Sequence, residues 1–263
     1  MARAHSVADL RDLARRRLPA AVFGYLEGAA EDEVTMDRNQ GAFQDIALLP
    51  RVLRDVSAVD TTTTIAGHPV PTPVICAPTG FTRLFHPDGE VAVARAAARA
   101  GSIYCLSTMA TRTIEEVAEG APGPKWFQLY VWRDHGLVDE LVDRAKAAGY
   151  EALCLTVDTP VLGRRERDLR TGLTIPPRAG LRTVLDGARR PAWWWGFLRS
   201  DELVFANVAS HAPEAIGAGG LPQFTHRQFD PSVTWDSAAR IAARWDRTFV
   251  VKGVQCAEDA DLA

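Results

Sequence analysis

The stretch that decides the fold is Leu155-Thr156-Val157-Asp158-Thr159-Pro160-Val161-Leu162-Gly163-Arg164-Arg165-Glu166-Arg167-Asp168. The apolar run leading into it, Ala152 to Val157, has the length and composition of a buried strand. It breaks at an acid, a hydroxyl and a proline, then at a glycine and two arginines. A barrel strand delivers polar side chains to a site at its C-terminal end in this way.

The same rhythm extends in both directions. Strands are predicted at 74–77, 103–106, 126–131, 153–157 and 249–251, with helical patterns between them. Glu90 to Ala100 is alanine-rich and stops at Gly101; Thr113 to Glu119 starts at a cap and stops at Gly120; Asp134 or His135 to Ala148 stops at Gly149. The polar strand ends fall at Thr79, Thr108, Tyr130 and Asp158, at intervals of 29, 22 and 28 residues, each the length of one strand-plus-helix unit. Such alternation predicts a parallel sheet. Polar residues held to the C-terminal strand ends favour a (β/α)8 TIM barrel over an open doubly wound sheet. The fold class is therefore α/β, one domain over 1–263 that carries the first five strands of eight. Ala263 follows Val250-Val251-Lys252-Gly253 in what reads as the next helix, so the expectation is a domain cut short. The next interval, Asp158 to Gly253, is 95 residues, too long for a simple crossover, and predicts an excursion over the C-terminal face at 159–230.

Before the rhythm begins, Ser6 with Asp9 three residues on caps a first helix, and Pro19 suits the first turn of a second that runs to about Ala30. Residues 44–69, with Thr61 to Thr64 and the turn Gly67-His68-Pro69, read as short strands or loops.

Composition bounds the function. The 47% apolar and 24% charged fractions are those of a globular protein, and a net charge of −3 gives no general attraction to nucleic acid. There is no apolar run of about 18 residues or more and no apolar centre of a secretory signal near the N-terminus. Cys76, Cys105, Cys154 and Cys256 form no C-x-x-C pair and mostly sit in strand-like runs, which predicts buried reduced thiols in a cytoplasmic protein. The histidines His5, His68, His135, His211 and His226 show no metal-ligand spacing, and no metal site is expected.

Several segments, in order, resemble the FMN-dependent α-hydroxy-acid oxidase and dehydrogenase family, the glycolate oxidase, L-lactate dehydrogenase and mandelate dehydrogenase group. They are Gly24-Tyr25-Leu26-Glu27-Gly28-Ala29-Ala30-Glu31-Asp32-Glu33, Ala77-Pro78-Thr79-Gly80, His86-Pro87-Asp88-Gly89-Glu90, Leu106-Ser107-Thr108, Phe127-Gln128-Leu129-Tyr130, Leu155 to Asp168, and Val251-Lys252-Gly253-Val254. The resemblance implies that Ala77, Pro78, Thr79 and Gly80 line one edge of the flavin ring. Ser107, Gln128 and Thr156 would hydrogen-bond its pyrimidine part, and Lys252 would stabilise the anionic reduced flavin. Tyr25, Tyr130 and Arg165 would hold the substrate, a guanidinium being the forked partner of a carboxylate. Tyr130 and Asp158 are the catalytic candidates, Asp158 as the carboxylate that orients the histidine and stabilises its cation. Each residue has a plainer reading. Tyr25 suits packing on its helix, Gln128 suits satisfying backbone groups, the Arg164-Arg165 pair suits a solvated charge run, and Lys252 suits a buried stem with a surface head.

The resemblance also implies parts that residues 1–263 do not contain. The family's base is a histidine after the sixth barrel strand, in a Ser-Asn-His-Gly-Gly-Arg-Gln motif, and later strands grip the FMN phosphate. Gly80 stands where many oxidases of the group carry alanine; this is similar to the mandelate dehydrogenase type and implies room for a bulkier substrate. Met109 replaces an aromatic of the glycolate oxidases. The expected reaction is oxidation of an (S)-2-hydroxy acid, lactate-like or mandelate-like, to a 2-oxo acid. The histidine takes the hydroxyl proton as hydride passes to flavin N5, with a carbanion route as the competing mechanism. Oxygen, a quinone or a protein accepts the electrons, and the complete enzyme would be a homo-oligomer, a tetramer. Other FMN barrels are disfavoured by the pairing of Phe127-Gln128-Leu129-Tyr130 with Leu155 to Pro160. The non-enzyme alternative is an inactive polypeptide that binds flavin weakly. Residues 178–199, where Arg178, Arg182, Arg189 and Arg190 precede Trp193-Trp194-Trp195, suit peripheral contact at the inner membrane face or, alternatively, packing on the barrel or a neighbouring subunit.

Overall fold

The computed structural model describes residues 4–161, 163–171, 186, 188–209 and 228–263. Arg178, Arg182, His211 and His226, with much of the 159–230 excursion, lie outside the described residues. The chain divides into two compact units, one of residues 1–61 and 163–195, the other of 62–162 and 196–263.

The first unit contains α1 (Val7–Arg17), α2 (Ala20–Glu27), α3 (Val34–Ala42) and α8 (Glu166–Thr171). The Ser6 hydroxyl accepts the Asp9 amide while the Asp9 carboxylate accepts the Ser6 amide, the reciprocal cap expected from sequence. Pro19 stands at the N-cap of α2, which ends at Glu27 rather than running on to Ala30. The α3 helix is not foreshadowed in the sequence. It buries none of its residues and enters from Glu33 in a left-handed conformation, so it has neither the apolar stripe nor the capping residue that announces a helix.

The second unit holds β1 (Thr63–Ile65) and β2 (His68–Val70), an antiparallel hairpin that starts in the segment expected to form short strands and ends one residue beyond it. It also holds β3 (Tyr104–Ser107), β4 (Lys125–Tyr130), β5 (Ala152–Thr156) and β6 (Thr248–Lys252) in one parallel sheet. The strand order is sequential, 3-4-5-6, with no reversal. A doubly wound sheet reverses at its ligand-binding crevice, whereas a barrel does not. The helices between strands are α4 (Thr82–Phe85), α5 (Gly89–Arg99), α6 (Ile114–Gly120) and α7 (His135–Ala147), followed by α10 (Trp235–Trp245) before β6 and α11 (Ala257–Leu262) after it. Thr113 and Asp134 cap α6 and α7. Helix α9 (Pro191–Arg199) crosses the boundary between the units.

One expected strand is much reduced. The 74–77 segment makes a single parallel bridge, at Cys76 to Tyr104, so four strands rather than five pair fully among the described residues. Cys76 donates to Ile103 O (2.9 Å) and accepts from Cys105 N (3.0 Å). A ladder needs a donor at alternate residues; Pro78, two residues on, has no N–H, and two residues back Val74 N is turned to Thr72 O (2.8 Å).

The strand register assigns the two sheet faces. Cys105, Trp126, Ala152 and Cys154 lie on one face with Ile103, and the hairpin residues Ile65 and Val70 pack against them with Ile75 and Val250. The opposite face carries Leu106, Phe127, Leu129, Leu153 and Leu155, all fully buried; α5 packs on β3 and α7 on β4. Cys105 and Cys154 are buried thiols, as expected, whereas Cys256 is exposed.

Candidate functional site

The period of two along a strand selects the side chains that meet. Ser107 pairs with Gln128, Gln128 with Cys154, Tyr130 with Thr156, and Thr156 with Lys252. Registered residues of a parallel sheet point the same way, so Ser107, Gln128, Tyr130, Thr156 and Lys252 share the face of Cys105 and Cys154, at the C-terminal ends of four adjacent strands.

Gln128 is the centre of this row. Its buried amide accepts from Ser107 Oγ at Oε1 (3.1 Å) and donates from Nε2 to Thr156 Oγ1 (2.9 Å). Thr108 locks the neighbouring backbone: its hydroxyl donates to Gln128 O (2.6 Å) and accepts from Tyr130 N (3.3 Å). Ser107 Oγ also accepts Met109 N (3.1 Å). Oε1 also accepts Thr108 N (3.4 Å), so the Gln128 side chain satisfies a backbone group, as its plain reading has it, while its two shortest bonds go to hydroxyls. At the far end, Lys252 Nζ donates to Asp158 Oδ2 (3.2 Å), so the cation stands against a carboxylate. Gly253 makes that approach feasible. Its φ is +110°, and a Cβ there would lie 2.6 Å from Asp158 Cβ and 2.8 Å from its Cγ. Sequence reading took Gly253 only as part of a motif; the signal was a glycine directly behind a strand-end lysine.

At the other side of the row, Ala77 and Thr79 are exposed and Pro78 and Gly80 half-buried, on a loop tied down by Phe81 N donating to Met109 O (3.1 Å). The room expected beside Gly80 is partly filled. A methyl at 80 would lie 3.1 Å from Met109 Cβ and 3.3 Å from Met109 O, pressing on that neighbour instead of standing in open space. Tyr130 stacks at a tilt on Phe229, ring centres 4.9 Å apart, where the chain returns from the excursion and Asp230 N donates to Val131 O (3.2 Å).

Tyr25 and Arg165 are brought together within the first unit. The Arg165 guanidinium lies over the Tyr25 ring, 4.8 Å from its centre, and Nη2 donates to Tyr25 O. Nε donates to Asp168 Oδ2 (2.7 Å), and Nη1 has no hydrogen bond among the described residues. Burial pushes the Tyr25 phenol up, against the Arg165 charge, which keeps it a neutral O–H. Sequence reading missed what fixes this pair. Arg167 on α8 binds Glu27 of α2 and Glu33, Glu31 N donates to Arg164 O (2.7 Å), and a Cβ on Gly163 would lie 2.6 Å from Ala30 Cβ. Two motif segments more than a hundred residues apart therefore dock on each other. The alternation of Arg165 and Arg167 with Glu166 and Asp168, matched by Glu27, Glu31 and Glu33, was the legible signal.

The polar row fits a flavin. The pyrimidine edge of that ring alternates acceptor, N–H donor and acceptor, and Ser107, Gln128 and Thr156 offer donors and acceptors in one line on one face. A lysine ammonium, held by a carboxylate, stands at the end of the row, and a positive charge is the kind of group that suits a reduced, anionic ring. Nε2 of Gln128 uses one of its two protons within the row, and no acceptor for the other lies among the described residues.

Comparison with known proteins agrees with this chemistry. The FMN-dependent dehydrogenase family matches residues 14–263. A Mycobacterium tuberculosis relative is 45% identical over 256 residues, covering 97% of this chain and 60% of its own. The L-lactate dehydrogenase of Caulobacter vibrioides is 42% identical over 259 residues, covering 98% of this chain and 67% of its own. Among solved structures, a monotopic membrane protein, (S)-mandelate dehydrogenase, superposes with a TM-score of 0.90 at 36% identity, covering 98% of this chain and 68% of its own. The chain thus spans about 60–68% of the length of these relatives, and its sheet is part of a TIM-barrel flavoenzyme fold.

Proposed function

Because the chain belongs to the FMN-dependent dehydrogenase family, we propose that the protein oxidises an (S)-2-hydroxy acid, lactate-like or mandelate-like, to the 2-oxo acid. The observation that carries this is the Ser107–Gln128–Thr156 row with the Lys252–Asp158 pair at its end. When bound, FMN supplies the two-electron acceptor for the α-hydrogen.

The chain's own residues do the rest. Ser107, Gln128 and Thr156 hold the pyrimidine side of the ring, and Ala77, Pro78, Thr79 and Gly80 line its edge. Lys252 lowers the cost of negative charge developing there. Arg165 offers its Nη1 edge to the substrate carboxylate, oriented by Asp168 and by the Tyr25 carbonyl. Tyr25 and Tyr130 present phenol O–H groups, Tyr25 kept neutral by its burial. Asp158 orients and stabilises the cation of the base, the histidine of the family's reaction.

Electrons pass on to oxygen, a quinone or a protein, and the working enzyme is a homo-oligomer. No helix among the described residues is long and apolar enough to cross a membrane. Peripheral contact of a cytoplasmic protein through 178–199 is supported by α9. There Trp195 is 60% exposed and Leu198 is 71% exposed, while Trp193 and Trp194 are half-buried.

Isolated from its own cells, the protein is expected to be yellow and to be bleached by 2-hydroxy acids without oxygen. A folded, colourless protein overturns the proposal.

A further inference from the structure

The His86-Pro87-Asp88-Gly89-Glu90 segment has no part in the chemistry above, yet it carries a fully buried acid. Glu90 is 0% exposed. It sits in the first turn of α5, where a negative charge is favoured by the helix dipole. Its carboxyl does not pair with its own helix. Oε1 accepts Thr111 N (2.8 Å) and Thr82 N (3.3 Å), and the Thr111 hydroxyl lies 2.9 Å from Oε1 and 2.8 Å from Oε2. One side chain thereby holds the two loops that run past the polar row, residues 79–82 and 108–111.

Arg83 completes the arrangement. It is buried, its backbone N–H donates to Thr111 Oγ1 (3.3 Å), and its guanidinium donates to the carbonyls of Thr111 and Glu202 (3.4 Å each) and of Asp201. Ala206 N donates to Ala110 O (3.0 Å), and Phe205 packs on Phe81 at 4.3 Å between ring centres. Gly89 gives Arg83 its place: its φ is +53°, and a Cβ there would collide with Arg83 Cγ. His86 is exposed and turned toward Asp88, 3.7 Å away, so the histidine of the segment is not the working part.

The geometry points to Glu90 and Arg83 as positioning residues: a buried bracket that sets the spacing between the Thr79–Phe81 and Thr108–Thr111 loops and ties both to the returning segment at 201–206. It rests on the flavin reading only in that the first loop carries Thr79 and Gly80 of the flavin edge and the second follows directly on Ser107 of the polar row. Neither residue touches the reacting atoms; both act through the backbone of the loops. A carboxyl that accepts two amides from different loops fixes their separation, because each buried amide N–H is costly to leave unpaired.

The test uses the FMN-loaded protein with Glu90→Ala, Glu90→Gln and Thr111→Val. In Glu90→Ala, amide exchange at Thr82 and Thr111 is expected to quicken more than tenfold, while Leu106 and Leu129 stay within twofold of the parent. The visible flavin band is expected to shift, and FMN binding to weaken at least fivefold. Glu90→Gln, which keeps an acceptor oxygen, is expected to restore both to within twofold. Thr111→Val, which removes the hydroxyl and leaves the amide, is expected to fall between them; it gives the reading if Glu90→Ala does not fold. Protected amides in Glu90→Ala, or loosened loops with an unchanged flavin band and affinity, overturn the bracket, as does a Thr111→Val protein indistinguishable from the parent. If the parent itself takes up no flavin, it is the flavin reading that fails, and the exchange rates alone then decide whether Glu90 holds the loops.

Discussion

Replacing Gln128 by Met tests the centre of the row with little change in volume. The substitution removes the hydrogen bonds to Ser107 Oγ (3.1 Å) and Thr156 Oγ1 (2.9 Å). Each is worth about 0.5–1.5 kcal/mol net, and a buried hydroxyl left without its partner adds about 1–3 kcal/mol. Ser107 keeps its bond from Met109 N, so only part of that penalty applies to it, and the expected loss is about 2–4 kcal/mol. With a urea slope of about 3 kcal/mol/M, the unfolding midpoint falls by roughly 1 M. FMN affinity is expected to drop about tenfold or more, since the amide also supplies the spare donor toward the ring. Gln128→Glu separates donor from acceptor: it can still accept from Ser107 but cannot donate to Thr156 when ionised. A midpoint shift below about 0.2 M for Gln128→Met, or a Gln128→Glu protein as stable as the parent, would refute the reasoning.

Lys252→Met is expected to slow flavin reduction by at least about tenfold in stopped flow, because charge developing at the ring loses its counterion; unchanged kinetics would remove Lys252 from that role. Arg165→Met should weaken substrate affinity by about tenfold or more, as a forked contact worth about 1.5–3 kcal/mol is lost. Loss of flavin with normal substrate affinity in the remaining holoprotein would contradict that assignment. Gly80→Ala places a methyl 3.1 Å from Met109 Cβ and is expected to shift preference toward smaller hydroxy acids or to raise reactivity with oxygen; no change in either would make the missing methyl incidental. The Arg144 hydrogen bond holds Glu115 below the usual carboxylate range. The contribution of the pair is therefore present above the unfolded carboxyl value, about 4.3, and is lost as pH falls through the lower folded value. Arg144→Met should lower Tm at pH 7 by more than at pH 3, and its bonds to Asn207 O and Oδ1 contribute at both; a constant difference across that range would refute the linkage.

The sequence by itself determined whatever depends on local pattern. The caps at Ser6, Thr113 and Asp134 and the alternation of strand and helix follow from hydrogen-bonding side chains and apolar periods within a few residues of each other. The residues of the candidate row were named from the family resemblance alone; that Ser107, Gln128, Thr156 and Lys252 share one face follows from the register of β3 to β6. Only the tertiary structure decided how distant groups meet. Proline reduced the first expected strand to a bridge at Cys76, and α3 formed without a cap or apolar stripe. Arg167 pinned Arg165 through acids on and beyond α2, and Gly253 admitted Asp158 to Lys252. Glu90, which reads as an ordinary first-turn acid, turned inward to hold two loops. A buried charge or a close backbone approach takes its meaning from the partner across the gap, and that partner lies tens of residues away in sequence, beyond the reach of any local period.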